Sequence, residues 1–527
     1  MNKLLTGWYK TAIVFILIFS VATFLRIYHL TIIPVFADEA IYIRWAQVMR
    51  AVASLRFLPL SDGKQPFYMW LVIPFLKVFS DPLVAGRMVS VLSGSGTLIG
   101  IFSLSYVLFK SKRISLAASL IYAISPFALF FDRMALADSL LSFFGVWTIF
   151  FGVLTAKTRR LDTAMVSGFT LGGALITKSP ALFFSLLLPV SGIFSDWKKD
   201  LKHTFGLFLK LIFLFGVTYV IGYGIYNILR LGPEFHMIAL RNKDYIFPIS
   251  HLWTNPRDPF VFLIDRSFEW IRIMGPSLVL ILAALGVALN LRKYSKEILL
   301  LILLFIFPIL VESEFAKVYT ARYIFFTLPF LFILAGSVFN GGNKVVKTIA
   351  LFVLGGFILQ SLIQNYFLLT APEKAHLPNS ERSGYLEEWS AGTGIEEVAK
   401  YVKNEQRLIS KHILVGTEGF FGTLPDGLQI YLEGTQNITV IGVGLSLSEV
   451  PQGLKDSVSS GNKTYLVVNS SRLKIKPENY EKSGLKLIAS FQKADRLDHL
   501  SHEYLWYGPH DFLYFFEVVT PPVSRKN

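Results

Sequence analysis

The chain has 527 residues, 53% of them hydrophobic and only 17% charged, with 47 Phe, 22 Tyr and 9 Trp, and its mean hydropathy is +0.52. Those values exclude an ordinary soluble enzyme, and the absence of cysteine excludes a disulfide framework, a thiolate metal site and a Cys nucleophile. Lys and Arg number 51 against 36 Asp and Glu, a formal charge of +15, which in so apolar a chain is a topology signal before it is a sign of nucleic acid.

Apolar runs suited to a hydrocarbon core fall near 11–30, 83–109, 114–131, 138–156, 163–178, 180–194, 206–228, 271–291, 298–312, 322–339 and 345–369. The first follows Lys3 and Lys10 and contains Ser20-Val21-Ala22, which also fits a cleavable signal peptide. Apolar residues continue to Ile33, which fits an anchor better. The run at 66–79 is short for a crossing, and an interfacial or re-entrant placement suits it. With it held out, the basic clusters at Lys3 and Lys10, Lys110 to Arg113, Lys157 to Arg160, Lys198 to Lys202, Arg292 to Lys296, and Lys344 with Lys347 all share the cytoplasmic face. The expectation is a polytopic α-helical membrane protein of about 11 transmembrane helices in the plasma membrane, N-terminus inside and C-terminus outside. From Thr370 the composition becomes mixed. An amphipathic helix is predicted at 394–405, then strands at 413–417, 438–442, 464–469, 486–491 and 513–519, which together make an extracytoplasmic soluble α/β domain over 371–527 behind a membrane domain over 1–370. That tail shows no Gly-rich phosphate loop, His cluster or nucleophile elbow.

On this topology the unusual charges collect on the outer face. Ala37-Asp38-Glu39-Ala40 follows the first span; the pair suits an N-terminal cap on the stretch 40–52, or a carboxylate placed to take a proton from a hydroxyl. Lys64 stands at the mouth of the short run, as a snorkelling anchor or as a cation at the level of lipid phosphates. Asp132, Arg133 and Asp138 sit between two spans with almost no loop, where burial demands partners; an Arg–Asp pair within the turn is the simple solution. Lys178, in Thr177-Lys178-Ser179-Pro180, breaks an apolar stretch and needs an anion. The segment 229–270 carries too many charges for individual assignment, while Arg322-Tyr323 opens a later span and suits a phosphate clamp or a snorkelling Arg.

The order of an Asp-Glu pair after the first span, Lys-x-Pro before the next apolar run, Gly86-Arg87, the Arg133 to Asp138 turn, Thr177-Lys178-Ser179-Pro180, and Arg322-Tyr323 followed by Pro329 resembles the GT-C membrane glycosyltransferases. It is most similar to the branch of protein O-mannosyltransferases and the lipid A aminoarabinose transferase, over roughly residues 1–370. The resemblance implies a GT-C fold and inverting transfer of a sugar from a polyprenyl-phosphate donor to an extracytoplasmic protein, glycan or lipid acceptor. It implies Asp38 as base with Glu39 beside it, and Lys64, Lys178 and Arg322 as donor-phosphate contacts. Arg133, Asp138 and Tyr323 then hold sugar or acceptor. Gln65 stands where the family has the first of two prolines, a departure in the local loop. No cofactor is implied as required; Asp38, Glu39 and Asp138 offer oxygen ligands suited to Mg²⁺ or Mn²⁺, but a metal is left unassigned. Membrane lipids are expected partners and nucleic acid is not. A transporter with a charged outer vestibule is the alternative reading, with a noncatalytic scaffold behind it.

Overall fold

The computed structural model describes residues 2–197, 200–340 and 344–520. Lys198 and Lys199 of the fourth basic cluster lie outside them. By contact the chain forms two compact units, one of Met1–Leu30, Val52–Leu71 and Arg87–Pro378, the other of Thr31–Ala51, Val72–Gly86 and Asn379–Asn527.

Every apolar run expected to cross a membrane is helical over most of its length. Among the described residues, seven helices are long and apolar enough to cross alone: Trp8–Ile27, Pro82–Phe109, Ala137–Thr158, Lys202–Leu231, Ser295–Phe315, Ala321–Asn340 and Lys344–Thr370. The other expected crossings fold differently. Phe260–Met274 and Leu278–Asn290 form a pair bent by 106°, broken at Gly275-Pro276 because proline has no N–H to continue the ladder. The run at 114–131 is interrupted at Pro126 between helices Lys112–Ile124 and Pro126–Phe131, and Leu161–Leu175 and Ala181–Phe194 are short helices joined by a tight turn. The helix Phe67–Val78 has 12 residues, about 18 Å of rise against a core of about 30 Å, so it cannot traverse alone. The protein is a multi-pass membrane protein.

With lipid on one side and no water to drive association, close helix contact here depends on small residues. Leu161–Leu175 meets Leu201–Tyr226 through Gly168 and Gly172, four apart: a Cβ on Gly168 would lie 2.8 Å from the Thr218 carbonyl oxygen, and one on Gly172 2.7 Å from Ile225 Cβ. Thr218 Oγ1 donates across the same seam to the Ala164 carbonyl at 2.9 Å.

Three buried arginines close the end of the first helix, Asn2–Ile27. Arg26 Nε donates to Asp132 Oδ2 at 2.9 Å, and Tyr122 OH donates to the same oxygen at 2.8 Å. Arg133 gives Nη1 to the carbonyls of Leu25, Arg26 and Tyr28 and Nη2 to that of His29, while Arg87 Nη1 reaches Leu30 O at 2.7 Å. A helix C-terminus leaves carbonyls unpaired and carries partial negative charge, so cations belong there.

The second unit contains a five-stranded mixed sheet: β1 Ile413–Glu418, β2 Ile438–Gly444, β3 Lys463–Asn469, β4 Leu485–Gln492 and β5 Phe512–Val518, in the order β2-β1-β3-β5-β4. β1 runs parallel to β2 and β3, and β5 antiparallel to β3 and β4. β3 is buried over nearly its whole length, as a central strand covered on both faces should be. Helix Gln452–Ser459 seals one face through Leu454, against Leu466, Val468 and Phe516. The five predicted strands and the amphipathic helix, observed as Ile395–Leu408, are all present. Helix Ala37–Ala51 belongs to this unit too: Gln47 Nε2 donates to Ile430 O at 2.9 Å, Arg50 pairs with Glu433 at 2.8 Å, and Gly392 N donates to Val35 O at 2.8 Å.

Glu418, at the end of β1, is buried and accepts from the backbone N and the Nδ2 of Asn469, both at 2.7 Å. Burial pushes its carboxyl up to about 7. The folded state therefore binds the proton more tightly than the unfolded chain, so this stability is fully present below the ordinary Glu range and is lost as pH rises through about 7. Glu418→Gln, which cannot ionise, should lose less stability than wild type between pH 5 and pH 8, by on the order of 2–3 kcal/mol. Thermal unfolding at the two pH values checks this; an equal offset at both would contradict it.

Candidate active site

Helix Leu161–Leu175 ends in a turn closed by Lys178 N donating to Ala174 O at 3.2 Å, after which Pro180 starts the next helix. The turn lifts Lys178 out of the apolar stretch. Its Nζ donates to Asp138 Oδ1 at 2.5 Å and lies 4.7 Å from the centre of the Tyr323 ring. Asp138 is buried in the first turn of Ala137–Thr158, where a carboxylate also meets the positive end of the helix. Arg322 stands 5.5 Å from the Tyr323 ring, and Arg322 and Glu312 are both within electrostatic range of Lys178.

The segment holding Lys64 is tied to this turn. Gln65 Nε2 donates to Ser179 Oγ at 2.9 Å, and Phe67 N to Ile176 O at 3.3 Å. At Gln65, where the resemblance leads one to expect proline, this chain has an amide that makes the connection by hydrogen bond. Lys64 pairs with Asp62 at 3.2 Å, and the other oxygen of Asp62 accepts from Arg241 Nη2 at 2.7 Å. Gly63 between them adopts φ +70°, and a Cβ there would sit 2.7 Å from Arg241 Cβ, so glycine is needed for both conformation and space. Tyr245, one helix turn beyond Arg241, is within electrostatic range of both Lys64 and Tyr323, and burial raises its phenol.

The first unit thus gathers five residues singled out from sequence, Lys64, Asp138, Lys178, Arg322 and Tyr323, and adds Asp62, Arg241, Tyr245 and Glu312. Asp62 and Arg241 were hidden among ordinary surface charges; the Asp62-Gly63-Lys64 spacing was the one available signal. Arg133, also singled out from sequence, donates to the carbonyls of Leu25, Arg26, Tyr28 and His29 at the end of the first helix. The Arg–Asp pair considered within the 132–138 turn does not form: Asp132 takes Arg26 and Asp138 takes Lys178.

Asp38 and Glu39 belong to the second unit, in the first turn of Ala37–Ala51. Glu39 is fully buried and its carboxylate accepts from Phe36 N at 3.0 Å, an N-terminal cap. Asp38 is partly exposed. Among the described residues no three His, Cys, Asp or Glu side chains gather as metal ligands. Asp138 and Glu39 instead meet a lysine and a backbone N–H.

Residues 63–222 match the family described as dolichyl-phosphate-mannose-protein mannosyltransferase. The chain is similar in structure to ArnT from Cupriavidus metallidurans in the apo state, with a TM-score of 0.58 and 14% identity, covering 98% of this chain and 99% of that one. The same protein bound to undecaprenyl phosphate aligns with a TM-score of 0.58 and 15% identity, again over 98% and 99%. The archaeal oligosaccharyltransferase AglB from Archaeoglobus fulgidus, in complex with an inhibitory peptide and a dolichol-phosphate, aligns less well, at 0.48 and 12% over 91% and 73%. No curated protein sequence matches the chain. The chain thus has an ArnT-like fold along its whole length, and Lys64, Asp138 and Lys178 fall within the segment that matches the mannosyltransferase family.

Proposed function

We propose that this protein transfers a sugar from a polyprenyl-phosphate carrier to an acceptor on the outer face of the cytoplasmic membrane, with inversion at the anomeric carbon. The observation that carries this reading is the cation group of Lys64, Lys178 and Arg322, held by Asp62, Asp138 and Tyr323 and connected through Gln65 and Ser179. Cations positioned before substrate arrives stabilise a departing phosphate without reorganising. The acceptor oxygen bonds to the anomeric carbon as the bond to the phosphate oxygen breaks. The electron pair leaves on the phosphate, and Asp38 takes the acceptor proton. Glu39 shapes the helix that carries Asp38. Asp138, Tyr323 and Arg133 hold sugar or acceptor, and Arg133 also orders the turn at residues 28–29. ArnT's complex with undecaprenyl phosphate supports a polyprenyl phosphate as carrier. No cofactor is required by this scheme, and a divalent metal is left unassigned.

The test is transfer of radiolabelled sugar from a panel of polyprenyl-phosphate donors by purified protein in membranes supplied with native acceptor. Transfer without an ion gradient is expected. Binding of donors with no transfer from any of them would return the transporter reading. Within that assay, Lys178→Met should lower turnover roughly a hundredfold, the usual effect of removing one electrostatic contact to a transition state. Unchanged turnover would remove Lys178 from the phosphate site.

A further inference from the structure

In the second unit, residues 497–507, Leu-Asp-His-Leu-Ser-His-Glu-Tyr-Leu-Trp-Tyr, form a closed tongue. Arg496, itself buried, joins its two feet: the backbone N donates to Pro509 O at 2.9 Å and Nη1 to Gly508 O at 2.8 Å. Nε and Nη2 of the same guanidinium grip Glu388 at 2.6 and 3.1 Å, which anchors the feet to the body of the unit. Beyond this clamp the large apolar side chains point away from the protein: Leu500 is 87% exposed, Trp506 73% and Leu505 69%. Apolar side chains so concentrated and so bare mark a contact surface.

The backbone of the tongue is closed on itself. Leu500 N donates to Asp498 Oδ1 at 3.1 Å, Tyr504 N to Ser501 Oγ at 3.1 Å, Leu505 N to Ser501 O at 3.1 Å and Gly508 N to Tyr504 O at 2.9 Å. Local closure of the polar backbone is what an apolar surrounding requires. Trp and Tyr beside leucines are the residue types that settle at a membrane interface.

The covalent chain supplies the second argument. The last span ends at Thr370, and the chain then doubles back: His376 N donates to Gln364 Oε1 at 3.1 Å, and Gln364 Nε2 to His376 O. His376 is therefore pinned about 9 Å back along the helix from its end. Three residues later, at most about 10 Å of extended chain, Asn379 Nδ2 donates to Asp498 Oδ2 at 3.4 Å, at the base of the tongue. The base of the tongue is thus only a short stretch of chain from the residue that pairs with Gln364.

We propose that residues 497–507 dip into the lipid surface, with Leu500, Leu505 and Trp506 at the boundary between headgroups and acyl chains. The tongue carries Asp498 and Glu503 and no Lys or Arg, so apolar burial drives the contact and anionic lipid is not needed. This stands independently of which sugar or acceptor the enzyme uses.

The chain contains no cysteine, so nitroxide labels can be placed on the full protein without a background to remove. Leu500→Cys, Leu505→Cys and Trp506→Cys, with exposed Lys482→Cys on the same unit as reference, would be labelled in phosphatidylcholine nanodiscs. Collision rates with oxygen and with a water-soluble nickel chelate are then read by power saturation. The expected result is an oxygen-to-nickel ratio several-fold higher at the three tongue positions than at position 482. Equal ratios at all four positions would overturn the proposal. So would low access to both reagents at the tongue, whether with spin–spin broadening, which means a second copy of this chain, or without it, which means contact with another protein surface.

Discussion

Asp38→Asn is expected to lower sugar transfer at least about a hundredfold, within the range that loss of a general base produces. The substitution keeps size and hydrogen-bonding capacity but removes the charge proposed to take the acceptor proton. Donor binding should survive, because the proposed phosphate contacts are Lys64, Lys178 and Arg322. Glu39→Gln is the matched comparison. Glu39 is buried and caps the Phe36 N–H, an acceptor role the Gln oxygen can fill, so transfer should fall less than about tenfold. Single-turnover transfer from a saturating donor separates the two. Equal activity of Asp38→Asn and wild type would keep the class of enzyme and take Asp38 out of its chemistry; the reverse order of the two variants would make Glu39 the base.

Arg26→Met should have the largest effect on stability, about 3–5 kcal/mol, the usual consequence of removing one partner from a buried ion pair. Asp132 is completely buried, and its Oδ2 relies on Arg26 at 2.9 Å and Tyr122 at 2.8 Å. The surroundings cannot relax to admit water easily: a Cβ on Gly94 would lie only 2.4 Å from Asp132 Cγ. The double variant Arg26→Met, Asp132→Asn leaves no uncompensated charge and should recover most of the loss. Denaturation in detergent micelles by increasing SDS measures both. If single and double variants lose the same stability, the ion pair is not what holds this end of the first helix, and the Arg26 bonds to the Ala22 and Ala123 carbonyls carry the effect instead.

Several features of the fold could be read without coordinates because they are properties of short stretches. Unbroken hydropathy marks the long helices, and short apolar runs between turn residues mark all five strands of the sheet. The length of 66–79 was enough to deny it a full crossing. Span counting was less secure: Pro126 and Gly275-Pro276 divide runs that hydropathy averages over, since a sliding window weighs how apolar a stretch is and not whether its backbone can stay helical. The cations proposed for the donor phosphate stood out in the sequence, because a Lys such as Lys178 inside an apolar stretch is costly enough to demand an explanation. Asp62 and Arg241 were not, since their charges look ordinary until they are seen bracketing Lys64.

By itself the sequence determined the class of molecule, its helices and strands, and which charges had to find partners. Which partners they found was a tertiary decision. Asp132 pairs with Arg26 across 106 residues and Asp138 with Lys178 across 40, although Arg133 is nearer in the chain to both acids. Helix Ala37–Ala51 joins the C-terminal sheet unit in the same way, through Ile430, Glu433 and Gly392. Composition and hydropathy record how expensive a buried charge or polar backbone group is. The partner that offsets it is selected by distance in a low-dielectric interior, which only the packed chain sets.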